Sequence, residues 1–184
     1  MNNTTVKVWD PLVRILHWSL AILFLVNFIN EGGDPLHDWL GYAALALIGV
    51  RFIWGWVGTR RARFSNWVRG PKAIRRYLRA RLSGRSQRQL GHNPAAGAMM
   101  VALLVGVTLV GVTGWLQTTD RFFGVQWLEE FHEVLAYVVL AMVGVHVLAA
   151  ITESFHYREN LIASMIHGRK RALERDDADD ERAP

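Results

Sequence analysis

The sequence predicts an all-α integral membrane protein, a bundle of four transmembrane helices with short helices at the membrane surface. Three observations predict this fold class. The chain is 51% hydrophobic and has eight Trp and no Cys among its 184 residues. Its apolar residues are concentrated in four stretches long enough to cross a bilayer. Its Lys and Arg residues are divided very unequally between the segments that connect those stretches.

The four apolar stretches cover about 15–29, 37–57, 94–116 and 129–151. With their connections they form one predicted transmembrane domain over 1–171. The first stretch has the length of a signal peptide, but EGGDPLHDW follows it instead of a small-residue cleavage site. We therefore expect it to be a membrane span like the other three.

Basic residues fall almost entirely on one side of the predicted membrane. Nineteen of the 21 Lys and Arg residues lie before the first span, in the connection 58–93, or after the last span. Of the other two, Arg121 lies in the opposite connections and Arg51 lies inside a span. The positive-inside rule then places both termini and the basic connection of this multi-pass protein in the cytoplasm. This placement explains the net charge of +5 without a nucleic-acid partner.

Two short amphipathic stretches are predicted to lie against membrane lipid on the cytoplasmic side. In PKAIRRYLRARL a proline suits the first helical position, and apolar residues fall on one face among arginines. That pattern is typical of a helix lying on anionic lipid. After the last span, LIASMI beside GRKR indicates a second short helix. The tail 172–184 ends in DDADDERAP, which has too few apolar residues to pack and is expected to be disordered.

Four histidines lie in the predicted spans at two depths. His132 and His146 share the last span, and 14 residues separate them. On a helix this places them about 40° apart in direction and roughly 21 Å apart along the axis. His37 begins its span at the outer level of His132, and His17 lies at the inner level of His146. Ionisable side chains in a membrane span indicate function, although each could also be a hydrogen-bonded packing residue.

The two levels favour two haem groups. A single four-histidine metal ion is excluded by the ~21 Å separation. Two separate zinc or copper sites would have two histidines each and would lack further ligands. Haem iron needs two axial ligands, and its macrocycle fits between apolar helices. The absence of Cys excludes covalent C-x-x-C-H attachment and iron–sulfur clusters. The pattern therefore predicts two non-covalent b haems, with both axial positions closed for electron transfer.

Seven sequence pieces carry a resemblance to a known family. They are VWDPLVRILHW, HDWLGYA, RFSNWVRGPKAIRRYL, LGHNPAAGAMM, FHE, GVH and ENLIASMIHGRKR. In these pieces and their order the chain resembles the bacterial cytochrome b-561 family, in particular the b-type cytochrome subunit of nickel–iron hydrogenases. The resemblance implies four helices holding two b haems. It implies the ligand pairs His17–His146 for the inner haem and His37–His132 for the outer one.

Three further polar residues at the cytoplasmic end are candidates for cofactor contacts. Arg51 reaches the depth of the inner histidines, where it could bind a haem propionate or snorkel to lipid headgroups. His92 could cap the third span or lie at the surface, or contact a propionate or quinone. Asn93 is a candidate quinone contact. By resemblance to related cytochromes, the quinone pocket is predicted beside the inner haem, and a pocket at the outer haem is the alternative.

Glycine and alanine recur along the third span, at Gly106, Gly111 and Gly114 among others. Small residues allow helices to approach closely, and they would also make room for a flat macrocycle.

We expect an electron-transfer subunit that connects a periplasmic cytochrome or hydrogenase-type subunit with the quinone pool. The resemblance also allows a stand-alone enzyme that oxidises superoxide and reduces ubiquinone. The predicted outer connections and helix starts are acidic, and such a surface repels superoxide and attracts a basic protein. The residues are Glu31, Asp34, Asp38, Asp120, Glu129 and Glu130, against the single Arg121.

Overall fold

The computed structural model describes residues 4–30, 34–86 and 88–172. In chain order the elements are β1 (Thr5–Lys7), α1 (Pro11–Ile29), α2 (Pro35–Val57), α3 (Phe64–Trp67), α4 (Pro71–Leu82), α5 (Pro94–Gln117), α6 (Gln126–His156), α7 (Leu161–His167) and β2 (Arg169–Arg171). The four long helices α1, α2, α5 and α6 are long and apolar enough to cross a membrane, as the sequence predicts. Their outward side chains are mostly exposed apolar groups, as lipid requires.

Three of the four long helices begin with the same local signal. Asp10, Asp34 and Asn93 each accept a hydrogen bond from a backbone N–H three residues later, and a proline follows each of them. An Asx side chain satisfies an otherwise unpaired N–H, and proline is preorganised for the first turn. These caps start α1 four residues and α2 two residues before the apolar stretches begin. α6 is also longer than its apolar stretch, with 31 residues.

The described chain ends meet at one end of the bundle. β1 pairs antiparallel with β2, with Thr5 opposite Arg171. The connection 58–93 lies at the same end, because Arg61 donates to the carbonyl of Lys7 at 2.6 Å. The three basic segments are thus assembled on one side of the bundle, and their cytoplasmic placement stays a prediction. Strands of three residues are too short to show an alternating pattern, so the sequence did not predict this small sheet.

The two predicted surface stretches are helices, α4 and α7. α4 has no buried residue, and its Leu82 is 89% exposed. An ion pair of 2.7 Å between Arg81 and Glu153 connects α4 to the end of α6. α7 is held against α1, because Trp18 Nε1 donates to the carbonyl of Met165 at 3.2 Å. The predicted disordered tail beyond residue 172 and the predicted outer Glu31 lie outside the described residues.

Close helix packing explains two of the glycines in α5. A Cβ added at Gly106 would lie 2.8 Å from the side chain of Val139, and one at Gly111 would lie 2.6 Å from Leu45. Both contacts are with neighbouring long helices. These glycines therefore bring α5 close to α6 and α2, which is the close-approach interpretation of the small residues.

Candidate functional site

The structure brings the four span histidines together as two pairs. His37 of α2 faces His132 of α6, and the centres of their rings are 6.3 Å apart. His17 of α1 faces His146 of α6 at 6.4 Å. Both predicted juxtapositions are therefore present, and a single helix contributes one histidine to each. Roughly 21 Å of helix separates the two levels.

The spacing of each pair can be compared with that of two axial ligands. Bonds of about 2 Å from a metal to each nitrogen, with roughly 1.1 Å from nitrogen to ring centre, separate the two ring centres by about 6.2 Å. The observed spacings of 6.3 and 6.4 Å agree with this value. The ring-centre spacing of each pair would therefore allow both imidazoles to bind one haem iron.

Local structure fixes the ring of His37. His37 lies in the first turn of α2, and its backbone N–H donates to the cap Asp34 at 2.8 Å. Its ring Nδ1 lies 2.9 Å from the carbonyl oxygen of Asn30. A carbonyl oxygen can only accept, so Nδ1 carries the proton and Nε2 keeps its free electron pair. That is the tautomer a metal-binding histidine needs.

A cavity lies between the outer histidines. It is open on one side, and α1, α2, α5 and α6 all line it. Most of its lining residues are apolar or small, and they include Phe24, Phe28 and Gly111. Asn27 also lines it, and the buried Asn27 Oδ1 has no protein partner among the described residues. An apolar cavity between two imidazoles suits a flat macrocycle.

Unpartnered polar atoms mark the inner end. His17 Nδ1, Arg14 Nε and Arg51 Nη1 are buried and have no hydrogen-bond partner among the described residues. Buried polar atoms in this state indicate a ligand or water that completes the site. The two cationic side chains among them, Arg14 and Arg51, fit an anionic group such as a haem propionate.

Arg51 is held inside the protein by contacts with the connection that follows α2. Its residue is 5% exposed, and Nη2 donates to the carbonyl of Ala62 at 3.3 Å. The guanidinium carbon lies 5.1 Å from the centre of Phe64 and 5.8 Å from that of Trp67. These contacts leave Nη1 without a partner among the described residues. The geometry therefore favours an anionic partner inside the protein, such as a haem propionate, over lipid headgroups.

His92 packs against aromatic rings instead of capping a helix. Its ring centre lies 4.5 Å from Trp9 and 5.5 Å from Trp67. The cap of α5 is Asn93, whose Oδ1 accepts from Ala96 N at 2.8 Å. Burial, helped by the positive charge of Lys170, lowers the pKa of His92 to about 3. His92 is therefore a neutral imidazole at the inner end. The amide nitrogen of Asn93 takes no part in the cap and can donate to another ligand.

Sequence reasoning did not find Thr113, Asn30 or Lys170. Thr113 Oγ1 lies 2.9 Å from His132 Nδ1, and Asn30 supplies the acceptor for His37. Lys170 is 7% exposed and its ammonium lies 5.4 Å from the centre of Trp9. A polar threonine in an apolar span was the available signal for Thr113. Over the described ranges, no three His, Cys, Asp or Glu side chains gather as a metal site, so the histidines remain two pairs.

Comparisons with known proteins give one matching family and several similar proteins. The family model described as prokaryotic cytochrome b561 matches residues 8–168. A Rhodobacter capsulatus protein named as a probable Ni/Fe-hydrogenase B-type cytochrome subunit is 26% identical, over 91% of this chain and 82% of its own length. An Azotobacter vinelandii protein of the same name is also 26% identical, over 90% and 88%. One from Bradyrhizobium diazoefficiens is 25% identical, over 92% and 87%. No solved structure matches the chain significantly.

Proposed function

This chain belongs to the prokaryotic cytochrome b561 family, and we propose that it is a di-haem member that relays electrons between a periplasmic redox protein and the quinone pool. Membership makes it a multi-pass membrane cytochrome of the b type, which carries haem and takes part in electron transport. The number of haems, the quinone and the partner are the proposal. We also propose that it resides in the bacterial inner membrane with both termini in the cytoplasm.

The observation that carries the proposal is the pair of matched histidine spacings, 6.3 Å and 6.4 Å. His37 and His132 would hold the outer haem iron, and His17 and His146 the inner one. Bound haem supplies one-electron redox chemistry. With two histidines at each site, no ligand position on either iron would be left open, and haem held in this way would favour electron transfer over oxygen binding. The protein also stacks the two sites along α6, which gives electrons a route across the membrane.

A hydrogenase-type subunit or a periplasmic cytochrome is the proposed outer partner. The similar proteins named above are hydrogenase cytochrome subunits by name, which supports the first of these. Asp38 lines the outer cavity, and Glu129 and Glu130 are exposed at the start of α6. A negative outer surface of this kind would attract a basic protein patch. It would repel superoxide, which disfavours the stand-alone superoxide:ubiquinone oxidoreductase.

The quinone is proposed to bind beside the inner haem. Quinone reduction consumes protons, so its site needs polar groups near water at the depth of one haem. The inner end has the neutral His92, the free amide nitrogen of Asn93 and the basic connection 58–93. Lys170 and Arg51, whose positive charges both act on His92, would also stabilise a reduced quinone anion.

The experiment mixes purified oxidised protein rapidly with either enzymatically generated superoxide or a reduced basic cytochrome, with a ubiquinone analogue present. The relay proposal expects haem reduction and quinone reduction from the cytochrome, and little from superoxide. The matched variant Glu129→Lys/Glu130→Lys should slow the cytochrome reaction and hasten the superoxide one. Fast reduction by superoxide in the native protein would support the stand-alone enzyme and contradict the relay.

A further inference from the structure

One helix of the bundle holds none of the four paired histidines, yet it contacts one of them. Thr113 of α5 is 6% exposed, and its Oγ1 lies 2.9 Å from Nδ1 of His132. We propose that Thr113 is a positioning residue for the outer site, which orients the imidazole of His132 and lowers the reduction potential of the haem bound there. This proposal rests on the proposed di-haem function, and it adds a residue outside the ligand set.

The hydrogen bonds of Thr113 determine which atom donates. The single hydroxyl proton of Thr113 has backbone acceptors in its own helix, the carbonyl oxygens of Leu109 at 2.8 Å and Val110 at 3.0 Å. With its proton donated there, Oγ1 accepts a hydrogen bond from His132 Nδ1–H. The opposite arrangement would place the ring proton on Nε2 and prevent that nitrogen from binding iron.

Gly114, the residue after Thr113, makes room for the imidazole of His132. A Cβ added at Gly114 would lie 3.1 Å from Cε1 of His132 and 3.6 Å from Nδ1. The α5 backbone therefore approaches the imidazole closely because position 114 has no side chain. Thr113 supplies the acceptor and Gly114 supplies the space, so the pair fixes both the rotation and the position of the ring.

The physical effect on a bound haem follows from the acceptor. A hydrogen bond from Nδ1–H to oxygen increases the basicity of the opposite ring nitrogen. A more electron-donating ligand stabilises ferric iron over ferrous iron, which lowers the reduction potential. His37 has a similar acceptor in the carbonyl of Asn30, at 2.9 Å. A backbone carbonyl cannot be removed by substitution, so Thr113 is the acceptor that mutation can test.

The test is a redox titration of the complete, haem-loaded protein in detergent or nanodiscs, followed by visible and low-temperature EPR spectra. The variants are Thr113→Val, which keeps the shape and removes the acceptor, and Thr113→Ser, which restores it. Thr108→Val is the matched control, since Thr108 lies on the same helix and donates to its own helix at Leu104 O, 2.6 Å away.

At a fixed potential, Thr113→Val should increase the ratio of reduced to oxidised outer haem by roughly fivefold, the effect of about one hydrogen bond. It should also change the EPR g-values of that haem and leave the inner haem unaltered. Thr113→Ser and Thr108→Val should behave like the native protein. Loss of the outer haem from Thr113→Val alone would also support a positioning role.

An unchanged ratio and unchanged g-values in Thr113→Val would overturn the proposal for Thr113 while leaving the di-haem function intact. An equal shift in Thr108→Val would overturn it as well, because that would be a general effect of repacking α5. Absence of a haem at the outer histidines in the native protein would instead refute the proposed function itself. The two failures are therefore distinguishable.

Discussion

Lys170 is a buried cation, and its burial makes the folded protein less stable at neutral pH. It is 7% exposed, next to Trp9 and among Arg88, Arg61 and Glu159. Burial lowers the pKa of Lys170 to about 8 from the ordinary 10.5, although Glu159 opposes the shift. At 1.36 kcal/mol for each pKa unit, this gap corresponds to roughly 3 kcal/mol. That is the penalty of keeping the buried ammonium charged at neutral pH.

The sign of the pH dependence follows from proton binding. Between about pH 8 and 10.5 the unfolded chain holds a proton on this lysine that the folded protein has lost. Stability contributed by this residue therefore rises with pH across that window, and the full penalty is present below pH 8. Lys170→Met removes the penalty and also removes a cation–π contact of about 1 kcal/mol. The net expectation is a gain of roughly 2 kcal/mol at pH 7.

The assay is thermal or denaturant unfolding at pH 7 and at several points up to pH 10.5, followed by circular dichroism. The quantity compared is the difference between native protein and variant at each pH. It should be largest at pH 7 and decrease above pH 8. Lys72→Met on the exposed α4 is the control and should show no such trend. A Lys170→Met protein less stable than native at pH 7, or a difference independent of pH, would refute the reasoning.

Three other predictions concern the inner end. Arg51→Gln removes a buried cation whose positive charge would favour the reduced state of the inner haem. A redox titration should therefore find a lower reduction potential for the inner haem and an unchanged one for the outer haem. Arg75→Gln, at an exposed position, is the control and should change neither potential. Burial raises the pKa of Asp10, but hydrogen bonds from Thr59, Val13 N–H and Trp54 outweigh it and hold that pKa below 3.8. The stability that this carboxylate contributes should therefore be present above pH 3.8 and lost on further acidification. In the same unfolding assay at pH 7, Asp10→Ala should lower the free energy of unfolding by about 2 kcal/mol. A quinone-site inhibitor should alter the spectrum or reoxidation of the inner haem first, and an effect confined to the outer haem would move the site to the outer cavity.

The sequence predicted the main features because each has a one-dimensional signal. Apolar length predicted the four long helices, and the 14-residue separation on one helix predicted two levels of histidine. Depth along the spans then gave the juxtapositions of His17 with His146 and of His37 with His132. Family membership was predicted from short motifs in order, and the match over residues 8–168 confirms it.

The contacts that the sequence did not predict depend on how neighbouring elements pack against each other. The spacing of residues along one helix carries no information about that packing. Thr113 meets His132 because α5 packs against α6. His92 lies between Trp9 and Trp67 because the N-terminal segment and the connection after α2 close over it. Of the roles that the sequence leaves open for His92, capping is not the one seen, because the cap of α5 is Asn93 and an Asx side chain satisfies a helix start well.

The proposed function requires two haems, each held by its own pair of histidines. The direct measurement is the haem content and optical redox titration of the purified protein, with His17→Ala, His146→Ala, His37→Ala and His132→Ala compared under the same conditions. The account predicts two low-spin b haems in the native protein. It predicts that His17→Ala and His146→Ala lose one of them, and that His37→Ala and His132→Ala lose the other. A native protein with one haem, or loss of the same haem from His17→Ala and His37→Ala, would contradict it.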